Sequence, residues 1–321
     1  MRIILFWLLY FVSTLPLFMM TSHAAWAAPV PTVNNPFEQK TLNNFNFVVA
    51  GDFGCDNNAK QTVIGMTKRE PELVIGLGDL SYNKSAQCWL DMVAPLENGN
   101  RVKISFGEHD LDHGLALYKT YVKHFHIVKP YYSFDYQNVH FLAMATGKNR
   151  IIPYNVSSEQ YQFVKDDLEK AHDNKNINWI IAYQFRAFYS SLSAHPGLDE
   201  LQEAYHPLFE KYGVDLVFQA HNHNYQRTYP IAFNETSSSH PIVTSKEPVG
   251  YDKPLHGQIF LTVGTAGKGE HGLLGKAPFV VRQFQGHGFF NVDITDNGKK
   301  LVGSFYDNTD AKIVDQFSIT K

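Results

Sequence analysis

The chain has 321 residues, 44% of them hydrophobic and 18% charged, and a formal net charge of -3. That is enough apolar material for one large core or two modest ones. The balanced charge, with no acidic or basic run, excludes a polybasic nucleic-acid surface and a charged tail, so no nucleic-acid partner is expected.

The first residues, "MRIILFWLLYFVSTLPLFMM", set Arg2 before an apolar run from Ile3 to Met20. Small residues follow, and Ala25-Trp26-Ala27 has the A-x-A form that a signal peptidase accepts. Residues 1–27 therefore read as a cleavable signal peptide, which places the remainder outside the cytoplasm, secreted or extracytoplasmic. The rival is an uncleaved N-terminal anchor, since the run approaches the ~18–20 residues that span a bilayer; Ser13, Thr14 and Pro16 weaken it. A membrane partner follows only from that rival. Residues 28–44, polar and Pro-bearing, read as an N-terminal arm, and 45–321 as a single domain.

Beyond the arm, "FNFVVAGDFG", "ELVIGLGDLSY" and "RVKISFGEHD" each read as a buried strand running into a loop. "YYSFDYQNVHFLAMAT" has the form of a hairpin turning at Gln137-Asn138. "SSEQYQFVKDDLEKAHD" predicts a helix capped by Ser157 or Ser158, with Tyr161, Val164 and Leu168 at helical spacing. "WIIAYQFRAFYS" begins as a strand, and "LDELQEAYHPLFEKYG" predicts a helix up to Gly213 with a kink or break near Pro207. "VDLVFQAHNHNYQRTYP" is a strand ending in a His-rich loop. "QIFLTVGTAG", "HGFFNVDITDNGKKLVGSFYDN" and "IVDQFSITK" read as antiparallel strands, with Asp296-Asn297-Gly298 as a turn. Helices early and strands late suggest an α/β fold in which sheets pack as a sandwich with helices outside, and loops at the strand C-terminal ends form the site.

Cys55 and Cys88 are the two cysteines. An even count in an exported chain fits one disulfide, with a thiolate metal ligand as the other role. Asn83-Lys84-Ser85, Asn155-Val156-Ser157 and Asn234-Glu235-Thr236 fit the N-glycosylation sequon.

Five strand ends carry the chemistry: Asp52 in "GDFG", Asp79 in "GDLSY", Glu108 and His109 in "GEHD", the "WIIAYQF" junction, and His221 and His223 in "AHNHNYQR". Each alone reads as a turn or polar loop. In series, carboxylates and imidazoles gathered on one loop rim are donors for iron, zinc or manganese.

In that series the chain resembles the calcineurin-like metallophosphoesterases, specifically their purple acid phosphatase-like branch. The family's ordered blocks fall on Asp52-Phe53-Gly54, Gly78-Asp79-Leu80-Ser81-Tyr82, Gly107-Glu108-His109-Asp110, Ala182-Tyr183-Gln184-Phe185 and Ala220-His221-Asn222-His223. The resemblance implies a metallophosphoesterase-type β-sandwich. It also implies Fe(III) held by Asp52, Asp79, Tyr82 and His223, with Asp79 bridging to a second divalent ion: Mn, Zn, Fe or Mg. For that second ion it leaves Asp79, Glu108 and His221. Glu108 stands where the family has Asn, and Phe185 where it has His. One reading is a harder, more weakly held second ion with water filling the gap; the other is a single metal.

The same resemblance gives His109 the task of protonating or hydrogen-bonding the leaving group, with Asp79 beside it. It implies an exported, metal-dependent phosphoesterase, acid phosphatase-like, acting on small phosphate esters or phosphoproteins with a metal-activated water. The alternative is a weakened or inactive relative with one metal and a binding or redox role. Arg186 and His195, just past the altered block, are expected to meet substrate phosphate. Loops 233–257 and 268–284 are the expected seat of specificity, and no pattern specifies an oligomeric state.

Overall fold

In a computed structural model of the protein, residues 44–99 and 101–321 are described. The expected leader, 1–27, lies outside them, as does the expected arm apart from Asn44.

The chain alternates at first: β1 (Phe45–Ala50), α1 (Asn57–Thr67), β2 (Leu73–Gly76), α2 (Gln87–Val93), β3 (Val102–Ile104) and α3 (Ala116–His124). A hairpin of β4 (Tyr132–Tyr136) and β5 (Val139–Ala143) leads to α4 (Glu159–Asp173), β6 (Trp179–Tyr183), α5 (Asp199–Tyr212), β7 (Leu216–Gln219) and β8 (Tyr225–Thr228). Strands alone follow: β9 (Ile231–Ala232), β10 (Ile242–Val243), β11 (Gly250–Asp252), β12 (Ile259–Val263) and β13 (Val280–Phe284). The last three are β14 (Gly288–Thr295), β15 (Lys300–Asp307) and β16 (Ile313–Thr320).

Two seven-stranded sheets result, ordered β11-β16-β15-β14-β1-β2-β3 and β13-β8-β12-β7-β6-β5-β4. Strand alternation explains how they pack. Phe141, Trp179, Ile181, Tyr183, Leu216 and Phe218 point to a core shared with β1 and β14. There Phe47 meets Phe141 and Phe218 at ring-centroid distances of 5.2 and 6.3 Å. Their neighbours Leu142, Ile180, Ala182 and Val217 point the other way, onto Val164, Leu168, Tyr205 and Phe209 of α4 and α5. Burial on both faces is why these strands are continuous apolar runs with no polar alternation.

Ser158 is the cap of α4, its side chain accepting from the Tyr161 amide. No break occurs at Pro207. The helix continues from Asp199 to Tyr212 because Tyr205, His206, Leu208 and Phe209 around the proline are all buried, and packing offsets the lost backbone bond. The segment "QIFLTVGTAG" is not simply antiparallel: β12 runs parallel to β7 and antiparallel to β8. Asn297 and Asp296 both take φ 52°, as a tight β14–β15 turn requires.

Parallel pairing of β1 with β2, β2 with β3, and β6 with β7 brings the chemistry-bearing strand ends out together. Three come from one sheet and two from the other, so the site straddles the sandwich rim.

Candidate metal centre

The loops that follow β1, β2 and β7 share an unusual backbone. Asp52, Asp79, Tyr82 and His221 have φ of 57°, 50°, 56° and 71°, in the left-handed region that non-glycine residues avoid. Such conformations persist where surrounding contacts over-determine them, and they cluster at functional sites. The contacts here are specific. Asp110, wholly buried, accepts from the amides of Asp79, Leu80 and Gly107 at 2.8, 3.0 and 2.9 Å, clasping the "GDLSY" and "GEHD" loops together. Gly107 lies so close to this loop that a Cβ there would fall 2.2 Å from Asp79 Oδ1.

Three donors converge. The Tyr82 hydroxyl donates to Asp52 Oδ1 at 2.7 Å and lies 3.0 Å from His223 Nε2, which is itself 3.4 Å from Asp52 Oδ1. His223 Nδ1 faces the Gly269 carbonyl and so carries a proton, while Nε2 faces inward to Tyr82 and Asp52. Asp52 Oδ2 accepts the His221 amide at 2.9 Å, and Asp79 Oδ1 the His109 amide at 2.8 Å. Among the described residues, no three of His, Cys, Asp and Glu converge closely enough to hold an ion by themselves. The trio relies on a phenol for its third donor.

The charges call for a cation. Burial, then the neighbouring Asp52 and Asp110 charges, push the Asp79 carboxyl well above its usual range. Burial alone would raise Asp52 too, but the His223 hydrogen bond and charge, with Tyr82, hold it below the usual value. Burial and then both carboxylates push the Tyr82 phenol far up, so a phenolate forms there only against a strong positive charge. Two carboxylates, a phenol oxygen and an inward imidazole nitrogen form a donor set that suits a hard or borderline cation. The first metal position fits.

The second does not fit as it stands. Phe185, fully buried, offers no lone pair, and its ring packs 4.8 Å from that of His221. Glu108 is ion-paired with Arg186. His221 stacks on His195 at 3.6 Å, and burial pushes its imidazole down to about 3, leaving it neutral. His109 is half-exposed: its ring lies 4.5 Å from Tyr82, and its Nε2 is 4.0 Å from Asp79 Oδ2.

Cys55 and Cys88 form a disulfide, tying the segment after Asp52 to α2 beyond Tyr82. His195 is brought in by Asn222, which accepts from the His195 amide at 2.9 Å and donates to its carbonyl at 2.7 Å. Two participants were absent from the sequence reading. Asp110 stood within a quoted block, but only burial reveals its clasp. His271 stacks on His223 at 3.7 Å and its Nδ1 accepts the His223 amide, yet it comes from a loop with no strand end to flag it.

The two-sheet sandwich thus gathers a carboxylate–phenol–imidazole trio from the loops after β1, β2 and β7. Residues 45–225 match the family model described as calcineurin-like phosphoesterase, and the chain belongs to that family. Purple acid phosphatases are among its relatives. It is 30% identical over 200 residues to "Probable purple acid phosphatase 20" of Arabidopsis thaliana, covering 56% of this chain and 46% of that one. With "Purple acid phosphatase 22" of the same organism, identity is 26% over 288 residues, 83% of this chain and 61% of the other. In fold it is similar to the purple acid phosphatase PPD1 from yellow lupin (Lupinus luteus) seeds, with TM-score 0.71 and 20% identity. That similarity covers 86% of this chain and 54% of that one. The chain thus spans about half to three fifths of the length of these relatives.

Proposed function

We propose that the protein is an exported metal-dependent phosphoesterase, acid phosphatase-like, hydrolysing phosphate monoesters or diesters of small molecules or phosphoproteins. One observation supports this above the others: Asp52, Tyr82 and His223 converge within 2.7–3.4 Å on left-handed loops beside buried Asp79. Iron in the ferric state is the ion proposed for that position. It would supply Lewis acidity toward a phosphate oxygen and an attacking water.

The chain's own residues would do the rest. Asp52, Asp79, Tyr82 and His223 hold the ion. His109, half in solvent, holds Nε2 4.0 Å from Asp79 Oδ2, where it would donate a proton or hydrogen bond to the departing oxygen and recover protons from bulk water. Arg186 and His195 offer positive and hydrogen-bonding contacts to the phosphate. The domain is proposed to run through 45–321, since β14–β16 complete the sheet that carries β1. The Cys55–Cys88 disulfide supports an oxidising, extracytoplasmic location. Among the described residues, no helix is long and apolar enough to cross a membrane.

A second reading, a one-metal relative with weakened or absent turnover, is favoured by the Glu108–Arg186 pair beside Phe185. Hydrolysis of an aryl phosphate by the purified chain, loaded in turn with iron, manganese and zinc, separates the two. Turnover that chelation abolishes supports the enzyme; full metal loading without turnover supports the second reading.

A further inference from the structure

Beside the two altered positions, Glu108 and Phe185, the chain carries a guanidinium, that of Arg186. Arg186 follows Phe185 directly, and both their amides donate to the Thr146 hydroxyl, at 3.0 and 3.2 Å. The Gln184 side chain, itself buried, donates to the Arg186 carbonyl. The Arg186 backbone is therefore anchored, and its Nε donates to the Gly147 carbonyl at 3.0 Å. From there one terminal nitrogen pairs with Glu108. The pair is set among the site loops: Glu108 precedes His109, whose amide donates to Asp79 Oδ1, and Arg186 follows Phe185, whose ring packs 4.8 Å from that of His221.

Two departures in this chain thus complement each other. Phe185 removes a nitrogen donor and packs its ring beside His221. Glu108 brings an anion, and the neighbouring guanidinium neutralises it. We infer that Arg186 takes the place of the second metal ion: paired with Glu108 beside Asp79 and His221, it makes the centre mononuclear and clamps a phosphate oxygen of the substrate. The inference rests on the phosphoesterase reading above. A guanidinium suits half of a second metal's work. Its planar fork hydrogen-bonds phosphate bidentately and keeps its charge throughout. Nε and one Nη are engaged by Gly147 and Glu108, and a guanidinium has further N–H groups with which to bind an oxyanion. A guanidinium is no Lewis acid toward water, so a metal held by Asp52, Asp79, Tyr82 and His223 would have to supply that chemistry. Chelators cannot remove the guanidinium.

The test uses the full chain and two readouts independent of turnover. One is metal content by elemental analysis after loading with iron, manganese or zinc. The other is inorganic phosphate binding by calorimetry on the loaded protein. Wild type is expected to hold one equivalent of metal. Arg186→Met should weaken phosphate binding at least tenfold. Arg186→Lys, which keeps the charge but not the fork, should lose less, and it remains informative if the methionine variant folds poorly. Phe185→His combined with Arg186→Met should take up a second equivalent. Two equivalents in wild type, or phosphate affinity within twofold of wild type in both Arg186 variants, would overturn the inference. One equivalent, with phosphate binding that depends on Arg186 but no aryl phosphate turnover, would sink the hydrolase reading and leave this inference standing.

Discussion

Tyr82 donates its hydroxyl hydrogen to Asp52 at 2.7 Å while the same oxygen lies 3.0 Å from His223 Nε2. The phenol thus joins the β2 loop to Asp52 and His223 on the β1 and β7 loops, the residues proposed to hold the first metal. Tyr82→Phe removes an oxygen donor and the hydrogen bond together. In iron-loaded protein the visible charge-transfer absorption of a ferric phenolate should vanish, and iron affinity should fall by about 10- to 100-fold. Spectroscopy with competitive chelation measures both. An iron-loaded wild type without the band, or a variant that keeps it, contradicts the ligand assignment.

Asp110 makes no contact with the proposed ion, yet its carboxylate satisfies three buried amides. Asp110→Ala strands them, and each unsatisfied buried donor costs roughly 1–3 kcal/mol. Solvent entry offsets part of this, so a loss of about 3 kcal/mol is expected in urea unfolding, with weaker metal retention. Asp110→Asn keeps an acceptor oxygen and should lose less. Equal stability for Ala and wild type would refute the clasp.

The disulfide closes a loop with a sequence separation of 33. On chain-entropy grounds, replacing both cysteines by serine should cost about 3–4 kcal/mol. Because Asp52 and Tyr82 lie inside or at the edge of the tied segments, the variant should also lose iron more readily. Denaturant midpoints for oxidised, reduced and Cys55→Ser/Cys88→Ser protein provide the check.

His206 gives the protein an acid sensitivity remote from the metal loops. It is fully buried on α5, where Tyr189 donates to Nδ1 and Nε2 faces the Gln258 side-chain oxygen, with Phe233 and Phe260 against the ring. Burial pushes its imidazole down to about 4. Between there and an unfolded value near ~6.5, the unfolded chain binds a proton that the folded chain refuses. Stability therefore falls as pH drops through that window, by on the order of 3 kcal/mol. His206→Gln should flatten the slope of unfolding free energy between about pH 6.5 and 4. An unchanged slope rules out His206 as its source.

How much of this was legible in the sequence follows from what each feature depends on. Local order was readable: Ser158 and Gly213 bound their helices, and the apolar runs of β5, β6 and β7 are the strands buried on both faces. The ordered Asp, Tyr and His positions were readable because each follows a strand. β8 was not separated from the His-rich loop, and the antiparallel reading of β12 holds toward β8 but not toward β7, because strand pairing is settled by contacts across the sheet. Pro207 misled because tertiary burial overrides a local propensity. Glu108 and Arg186 were each singled out, but their pairing depends on loops 78 residues apart meeting in space, which no spacing encodes. Asp110 and His271 stayed hidden for the same reason.

Hydrolysis of an aryl phosphate by full-length protein before and after metal removal, with Asp52→Asn in parallel, tests the central claim most directly. The account predicts turnover in the iron-loaded wild type, its loss on chelation, its return on reloading, and no recovery in Asp52→Asn. Turnover that survives both chelation and Asp52→Asn, or iron-loaded wild type with the Tyr82 absorption and no turnover, would contradict it.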